Sequence, residues 1–531
     1  MNKLFAIIVV TMLGAGISAC KPGDPQEKDT YKVKGIGAPL TNDEYNKLTP
    51  LQQYQVANRL MSTLFKGVPA QEFFDVLSID GKPEDLQVSE TYTNFINKIQ
   101  KELDTPLENK DSIYNAIVGD TENPGKYTFS SETRMPMELP LAYLYELPIS
   151  DEFYARWMSY KLMNTILFSP AEEIDSADES DADAVNKRLS TGILGNASVR
   201  SIIYAHEISQ NNWRRFRSPE DNAREMIEIY LGLFDRDADV PKAAKACKNW
   251  YLTDENQGYL LKNPPENNNT EPQLILDNYY VTTCEDVMQA IANHPLVIPR
   301  ITTVLVDHLM DVGYDSQSKA DLVDSIVKSH PETFKDIFSA IIFSKAYLLN
   351  MERPKYFEES FFNIANRISW SPGKGFFRDI TSNSTGNLRL SSSMLAMNQP
   401  SISLKLGRWA SVPLDSLGFS YYHRAIREWA LINRKTDPFN PANDGQNGAG
   451  WGWDANFITG KVDQLKGDDL TNYLFLSVAG RYATKDELDT INSIIDSATD
   501  VTLKNNRLNQ SMLVLDYLSR LPEIYFFKAV N

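Results

Sequence analysis

The sequence predicts a mainly α-helical protein, an irregular assembly of many helices with long loops and little or no β-sheet. Apolar residues recur at helical spacing along several long segments, such as 49–65 and 414–434. Many of these segments begin with capping residues: Thr49 precedes Pro50 and stands three residues before Gln52, and Gly67 follows where a glycine ends such a helix. Runs of alternating polar and apolar residues, which would indicate strands, are lacking, and no repeat of fixed period indicates a solenoid.

Residues 1–19 are predicted to be a lipoprotein signal peptide. Lys3 precedes an apolar run over 4–13 that is short for a membrane span, and small residues then lead to Cys20. The segment Ile17-Ser18-Ala19-Cys20 resembles a bacterial lipobox, which implies cleavage before Cys20 and lipid on its thiol. The alternative is an ordinary signal peptide with an incidental cysteine. Lys21, in place of an aspartate, favours the outer membrane, so we expect a protein anchored there by lipid and facing the periplasm or the cell surface.

The mature chain is predicted to have four parts. Residues 20–48 are rich in Lys, Asp, Pro and Gly and indicate a flexible tether, which leads into a main helical domain over 49–435. A loop over 436–465 contains Trp451 and Trp453 among glycines, and a C-terminal helical unit follows over 466–531. The two tryptophans either contact a ligand or partner or fix the loop to its own core, and the second role is the commoner one.

Charge and cysteine content narrow the partners and the compartment. With 53 Lys and Arg against 70 Asp and Glu, the net charge of −17 argues against a nucleic-acid backbone as partner. If Cys20 carries lipid, Cys247 and Cys284 remain, an even number in an oxidising compartment. They are predicted to form a disulfide, the alternative being two unpaired buried thiols.

The common motifs of cofactor and metal sites are missing from the sequence. It contains no CxxCH, HExxH, GxSxG, Walker A or dinucleotide-binding pattern, and no two histidines stand four residues apart. Asp235, Asp237 and Asp239 begin like a calcium loop, but Val240 stands where the loop needs glycine. Asp239 is better interpreted as a helix cap, and the sequence predicts neither a metal nor a cofactor.

The stretch "SPEDNAREMIEIYLGLF" over 218–234 is predicted to be an amphipathic helix. Ser218 suits the N-cap and Pro219 the first helical position. At helical spacing the apolar residues gather on one side, Glu225 and Glu228 point away from them, and Asn222 lies on the flank. Periodicity alone therefore predicts that these polar residues face water.

The longer segment "DNAREMIEIYLGLFDRDADVPKAAKACKNW" resembles a motif of the bacterial domain-of-unknown-function 1800 (DUF1800) family. The matching positions are Asn222, Arg224, Glu225, Glu228, Val240 and Trp250. His294, Pro295 and Arg300 are similar to the His-Pro helix of that family, and the likeness covers about residues 190–435. Cys247-Lys248-Asn249 replaces a Thr-Gly before the tryptophan, which indicates a divergent member. The resemblance implies an exported, largely helical protein, often encoded beside a sulfatase-like partner, and it carries no established activity.

Three functional hypotheses follow. The leading one is a lipid-anchored binding or assembly component of the cell envelope. The second is a hydrolase or metal-dependent enzyme that uses Glu225 and Glu228 with His206 or His294. The third is a purely structural lipoprotein in which Asn222, Arg224 and the two glutamates form a buried polar network. The sequence leans against an enzyme, and convergence of these side chains in one accessible pocket would favour it.

Overall fold

The structure, a computed structural model, describes most of the chain after residue 36. The described residues are 37–77, 82–119, 125–129, 138–167, 181–216, 218–254, 259–310, 316–377, 423, 426–431, 452–453, 465–499, 504 and 506–530. Within them no helix is both long and apolar enough to span a bilayer.

Helices dominate the described residues, which confirms the predicted mainly α fold. In chain order they are α1 (Asn42–Tyr45), α2 (Pro50–Thr63), α3 (Ala70–Phe73), α4 (Phe95–Glu102), α5 (Lys110–Val118), α6 (Glu138–Glu146), α7 (Asp151–Met163), α8 (Asp181–Leu194), α9 (Val199–Glu207), α10 (Gln210–Arg215), α11 (Pro219–Leu231), α12 (Val240–Ala246), α13 (Cys284–Asn293), α14 (Val297–Leu309), α15 (Ser316–Lys328), α16 (Phe334–Ile342), α17 (Phe357–Arg367), α18 (Gly467–Ala479), α19 (Lys485–Ser497), α20 (Arg507–Leu518) and α21 (Pro522–Tyr525). Short 3-10 turns cover Pro83–Asp85, Glu90–Tyr92 and Pro265–Asn267, and π-helical turns cover Ala346–Asn350 and Ile426–Leu431.

The strands are short and pair only in twos. They are β1 (Phe74–Val76), β2 (Gln87–Val88), β3 (Tyr251–Asp254), β4 (Tyr259–Lys262), β5 (Gln273–Ile275), β6 (Tyr279–Val281), β7 (Arg353–Pro354), β8 (Trp370–Ser371), β9 (Gly452–Trp453) and β10 (Phe526–Phe527). The antiparallel pairs are β1–β2, β3–β4, β5–β6, β7–β10 and β8–β9. None of these pairs can form a layer of the fold, so the core is built by helices.

Capping chemistry fixes the starts of several predicted helices. Thr49 and Gln52 form a reciprocal capping box at α2, and Thr484 and Glu487 form another at α19. The Ser150 hydroxyl accepts a hydrogen bond from the backbone N–H of Phe153 at α7. These boundaries agree with the sequence because a cap is a local interaction among residues three apart.

One continuous hydrophobic core joins the helices. Helices α2, α7 and α17 lie deepest, since most side chains of each are buried on every side. Gly67 lies where α2 ends against α17, and a Cβ atom there would come within 2.3 Å of the Asn363 carbonyl oxygen. The left-handed residue at this helix end is Phe65, with φ 56°, so Gly67 serves the close approach of two helices rather than the cap that the sequence predicts.

The described part of the predicted tether packs against the body. Leu40 and Tyr45 are buried, and Thr41 forms a capping box with Glu44. The Leu40 N–H donates to the Phe343 carbonyl at 2.8 Å. The structure therefore places residues 40–45 of the predicted tether against the body, because a short capped helix there carries two buried apolar residues.

The C-terminal helices share polar contacts with the main domain. Val33–Asn531 forms one compact unit, in which α18 packs against α20 and α17. The Arg367 guanidinium donates to the carbonyls of Leu476 (2.9 Å) and Val478 (3.1 Å), which end α18. Strand β10 pairs with β7, so the end of the described chain is part of the core assembly.

Candidate functional site

Helix α11 carries the motif residues and begins as predicted. The Ser218 hydroxyl accepts from the Asp221 N–H at 3.1 Å, and Pro219 occupies the first turn. The helix ends at Gly232, whose φ of 65° is left-handed. Helices α12, α13 and α14 all pack against α11, so it is covered on more sides than a single apolar stripe would require.

Asn222 is fully buried, which contradicts the expectation that it faces water. Its exposed fraction is 0%, and neither amide atom has a hydrogen-bond partner among the described residues. The physical reason is the additional cover on α11, which helical periodicity cannot reveal. An unpaired amide in a buried position is unfavourable, and it distinguishes Asn222 from an ordinary flank residue.

Glu207, at the end of α9, is a second buried polar side chain and one that the sequence did not single out. It is 0% exposed, and neither carboxyl oxygen has a hydrogen-bond partner among the described residues. Burial raises the pKa of Glu207 well above its usual value, because the charged carboxylate is disfavoured away from water. No local sequence signal marks it, because α9 packs against both the preceding helix α8 and the later helix α13.

Asn212 connects Glu207 to the motif helix. Its amide nitrogen donates to the Glu207 carbonyl at 3.1 Å and lies 3.5 Å from the Met226 sulfur, one turn after Asn222. Burial raises the pKa of Tyr230, with a further contribution from Glu207. We call Glu207, Asn212, Asn222 and Tyr230 the Glu207 cluster.

The remaining motif residues do not join one buried network. Arg224 is 45% exposed on its side chain and pairs with Asp237 at 2.5 Å, and Glu225 and Glu228 are half-buried. Trp250 is buried, with its ring 5.2 Å from that of Trp213. The hypothesis of a single buried network is therefore wrong for Arg224, because α11 turns this residue towards solvent.

The two candidate histidines lie in different surroundings. His206 is buried, and its Nδ1 is 3.3 Å from a guanidinium nitrogen of Arg188. His294 is half-buried, and its Nδ1 accepts from the Leu296 N–H at 3.2 Å. Burial lowers the pKa of His294, and Arg236 and Arg200 lower it further.

The predicted catalytic residues do not line the pockets found in the described part of the chain. Two pockets serve as the check: one lies among α5, α6, α7 and α8 and another beside α2 and α17, and neither includes Glu225, Glu228, His206 or His294. No group of three His, Cys, Asp or Glu side chains among the described residues is arranged to hold a metal ion.

The predicted disulfide is present. Cys247 and Cys284 are both buried and bonded, with an S–S distance of 2.10 Å and 37 residues between them in sequence. The bond joins the end of α12 to the start of α13. Asp239 stands at the N-cap of α12, but its side chain accepts no hydrogen bond from a backbone N–H of that helix. Its carboxylate accepts instead from the Lys242 ammonium and from the Leu276 N–H.

Two other predicted sites fall outside the described residues. Cys20 and Trp451 lie there, as does the side chain of Trp453. The backbone of Trp453 is described, and it pairs with Trp370 in the β8–β9 pair. This pairing attaches one point of the predicted 436–465 loop to the main domain.

A buried ionic group at the start of α17 was not predicted from the sequence. Glu359 accepts from both terminal nitrogens of Arg353, at 2.7 and 2.8 Å, and from the Tyr356 N–H at 2.9 Å. The Lys161 ammonium lies 3.4 Å away. We call Glu359, Arg353, Lys161 and Tyr356 the Glu359 network.

A basic pocket lies next to this network. It has a volume of about 180 Å³, and the described lining contains Arg59, Lys355, Arg367, Arg481 and Lys528 with one carboxylate, Glu523. These residues come from segments far apart in the chain, so no local motif could have indicated them.

Comparison of the chain with protein-family models, with curated proteins and with solved structures returned no match. The resemblance to the DUF1800 motif therefore stays a prediction.

Proposed function

We propose that this protein is a lipid-anchored component of the bacterial cell envelope, a binding or assembly protein of the outer membrane rather than an enzyme. The observation that carries the proposal is the Cys247–Cys284 disulfide. Disulfides persist in oxidising compartments, and the periplasm is the one that a lipobox leader would reach. The two features are independent, because one lies at residue 20 and the other in the folded body.

The surroundings of the predicted catalytic side chains support binding over catalysis. His206 is buried against Arg188, and the Nδ1 of His294 accepts from the Leu296 N–H. A general acid or base must reach its substrate, and the pockets beside α2 and α17 and among α5 to α8 are lined by other residues. These two pockets therefore give the enzyme hypothesis no support.

An exposed apolar pair supports a protein partner. Leu274 and Tyr280 face each other across the β5–β6 hairpin, and they are 39% and 76% exposed. Phe234, beyond the end of α11, is 58% exposed. Large apolar side chains held at the surface are typical of protein contacts. By the DUF1800 resemblance, the partner would be an envelope protein of the sulfatase-like class.

The anchor is tested with the full chain expressed in a bacterium that has an outer membrane. Labelling with an alkyne-bearing palmitate should mark the wild type and not Cys20→Ala, and Cys20→Ala should leave the outer-membrane fraction. Alkylation without reductant should modify neither Cys247 nor Cys284. A wild-type chain that stays unlabelled in the cytoplasm with both thiols alkylated would disprove the proposal.

The partner is tested by crosslinking in intact cells followed by purification of the full chain. We expect one envelope protein in fixed ratio, and its loss in the Leu274→Glu, Tyr280→Glu double variant. Ile494→Glu is the matched control, since Ile494 on α19 is 42% exposed and distant in sequence. Equal recovery of the partner from the double variant and the control would argue against this surface.

A further inference from the structure

The pocket among α5, α6, α7 and α8 has a volume of about 320 Å³, and we call it the α5–α8 pocket. One of its walls is a single face of α8, because the lining residues Lys187, Ser190, Thr191 and Leu194 follow the three- and four-residue spacing of one helical side. The volume lies at the lower end of the range of roughly 300–1,000 Å³ in which proteins bind small organic ligands. The chemistry of the lining indicates which class of ligand fits.

A tyrosine ring is held in an exposed position at this pocket. Tyr114 is 43% exposed, and its ring stacks on that of Tyr143, with the ring centroids 5.3 Å apart and an angle of 18° between the planes. The Arg156 guanidinium lies 4.4 Å from the centroid of the same Tyr143 ring. These contacts restrict the Tyr114 side chain, so its flat apolar surface is in place before a ligand binds.

The polar groups of the lining combine hydrogen-bond donors with acceptors. Arg156 donates through Nε to the Glu152 carboxylate at 2.7 Å, and none of the described residues accepts from its two terminal nitrogens. The Thr191 hydroxyl donates to the Lys187 carbonyl at 2.7 Å, which leaves its oxygen able to accept. A ligand with several hydroxyl groups fits this mixture, because each hydroxyl both donates and accepts.

The charges of the lining are nearly balanced. Lys110 and Arg156 both lie within ion-pair distance of Glu152, at 3.7 and 2.7 Å. The described lining carries three cations and two carboxylates, which are Lys110, Arg156, Lys187, Asp111 and Glu152. A charged ligand is attracted by one set and repelled by the other, so the balance favours a neutral ligand. A cation also needs several aromatic faces around it, as in the cages that bind quaternary ammonium groups.

We propose that the α5–α8 pocket is a binding site for a neutral sugar of one or two rings. A pyranose ring has an apolar face of C–H groups and a rim of hydroxyls. In this site the C–H face packs on the Tyr114 ring, while hydroxyls accept from the terminal nitrogens of Arg156 and donate to the Asp111 carboxylate. The site goes beyond the proposed function, because it depends neither on lipid at Cys20 nor on a protein partner.

The test uses the full chain in a detergent without a sugar headgroup, because a glycoside detergent would itself occupy the site. Glucose, galactose, mannose and N-acetylglucosamine are titrated and followed by ligand-observed NMR. At least one of them should saturate, with a dissociation constant below about 10 mM. Glycerol, a polyol without a ring face, should not. The proposal is overturned if none of the four sugars saturates, if glycerol binds as tightly as the best of them, or if glucuronate binds more tightly than glucose, which would indicate an anion site.

Variants of Tyr114 test the stacking surface. Tyr114→Ala removes the ring and should weaken sugar binding by about tenfold or more, whereas Tyr114→Phe keeps the ring face and should bind within about twofold of the wild type. Tyr251→Ala is the matched control, since Tyr251 on β3 is 44% exposed and lies outside the lining. It should leave the affinity unaltered, and equal affinity of the two alanine variants would contradict the proposal.

A second variant closes the pocket from the α8 wall. Thr191 on α8 and Thr490 on α19 are both exposed, and each hydroxyl donates to the carbonyl four residues earlier at 2.7 Å. Thr191→Arg places a long side chain in the pocket and should weaken sugar binding by about tenfold or more, while Thr490→Arg should bind like the wild type. Both replace an exposed side chain and should leave the melting temperature nearly unchanged. Undiminished sugar binding in a folded Thr191→Arg protein would place the sugar elsewhere and overturn the proposal.

Discussion

Glu359 and Glu207 are both completely buried, yet their surroundings are opposite. Glu359 accepts from a guanidinium and a backbone N–H and has an ammonium nearby. Glu207 has no hydrogen-bond partner on either carboxyl oxygen among the described residues. Burial alone therefore does not determine the charge of a carboxyl group, because the groups within hydrogen-bond reach also determine it.

The two carboxyl groups therefore respond to pH in opposite directions. Burial alone would raise the pKa of Glu359, but Arg353 and Lys161 hold it below its usual value. Its contribution to stability is present above the unfolded pKa and is lost as pH falls. The pKa of Glu207 is raised, so its contribution is present below the unfolded pKa of 4.5 and is lost as pH rises towards the folded pKa.

The largest effect is expected at Glu359. Glu359→Ala leaves Arg353 and Lys161 buried without their carboxylate, and it should lower the free energy of unfolding by about 3–5 kcal/mol. Urea denaturation at pH 7 measures it. Glu84→Ala, at an exposed glutamate, is the control and should change stability by less than about 0.5 kcal/mol. A similar small change for both variants would show that the Glu359 network contributes little.

The region around Glu207 is stabilised by the Cys247–Cys284 disulfide, whereas the region around Glu359 is stabilised by ion pairs. Cys247→Ser with Cys284→Ser opens a loop of 37 residues and should lower the free energy of unfolding by about 3–4 kcal/mol. Denaturation with and without dithiothreitol measures it. The reductant should destabilise the wild type and not the double variant, and equal sensitivity of the two would contradict the expectation.

Replacing the unpartnered carboxyl should stabilise the protein in a pH-dependent way. Glu207→Gln has the shape of the protonated acid but does not ionise in the unfolded chain. It should raise the free energy of unfolding at pH 7 by about 1–3 kcal/mol and have little effect at pH 4. Thermal unfolding across this range measures the difference, and a stabilisation independent of pH would show that Glu207 is not protonated in the folded state.

The smallest effect is expected at the exposed motif residue. Arg224 and Asp237 form a solvent-exposed ion pair, with side chains 45% and 72% exposed. A double-mutant cycle with Arg224→Ala and Asp237→Ala should give a coupling free energy below about 1 kcal/mol that declines in 1 M salt. A coupling above 2 kcal/mol would place Arg224 in the buried system after all.

Local features of this fold were predictable from the sequence, and non-local ones were not. The capping boxes at Thr49 and Thr484 and the N-cap at Ser218 depend on residues three apart, and all three are confirmed. The burial of Asn222 depends on three later helices that cover α11, and Glu207 lies on α9, which packs against α8, α10 and α13. The role of Gly67 depends on α17, nearly 300 residues on, so a cap was the only function that local sequence could suggest.

The candidate site also combines a feature that the sequence predicts with features that it does not. Cysteine number and compartment were enough to predict the Cys247–Cys284 bond, whereas helical periodicity placed Asn222 wrongly at the surface. The basic pocket draws Arg59, Arg367 and Lys528 from distant segments. Only the folded chain brings these charges together, and no spacing rule covers such separations.

The hydrogen bond from Arg59 to the Lys528 carbonyl joins residues that are 469 apart in sequence. During synthesis it can form only after Lys528 has been added to the chain. A ribosome that adds about 5–20 residues per second needs roughly 25–95 s to make the intervening segment. Throughout that interval the Arg59 guanidinium lacks this acceptor. Contacts between residues so far apart in sequence form slowly, because the loop between them must close first.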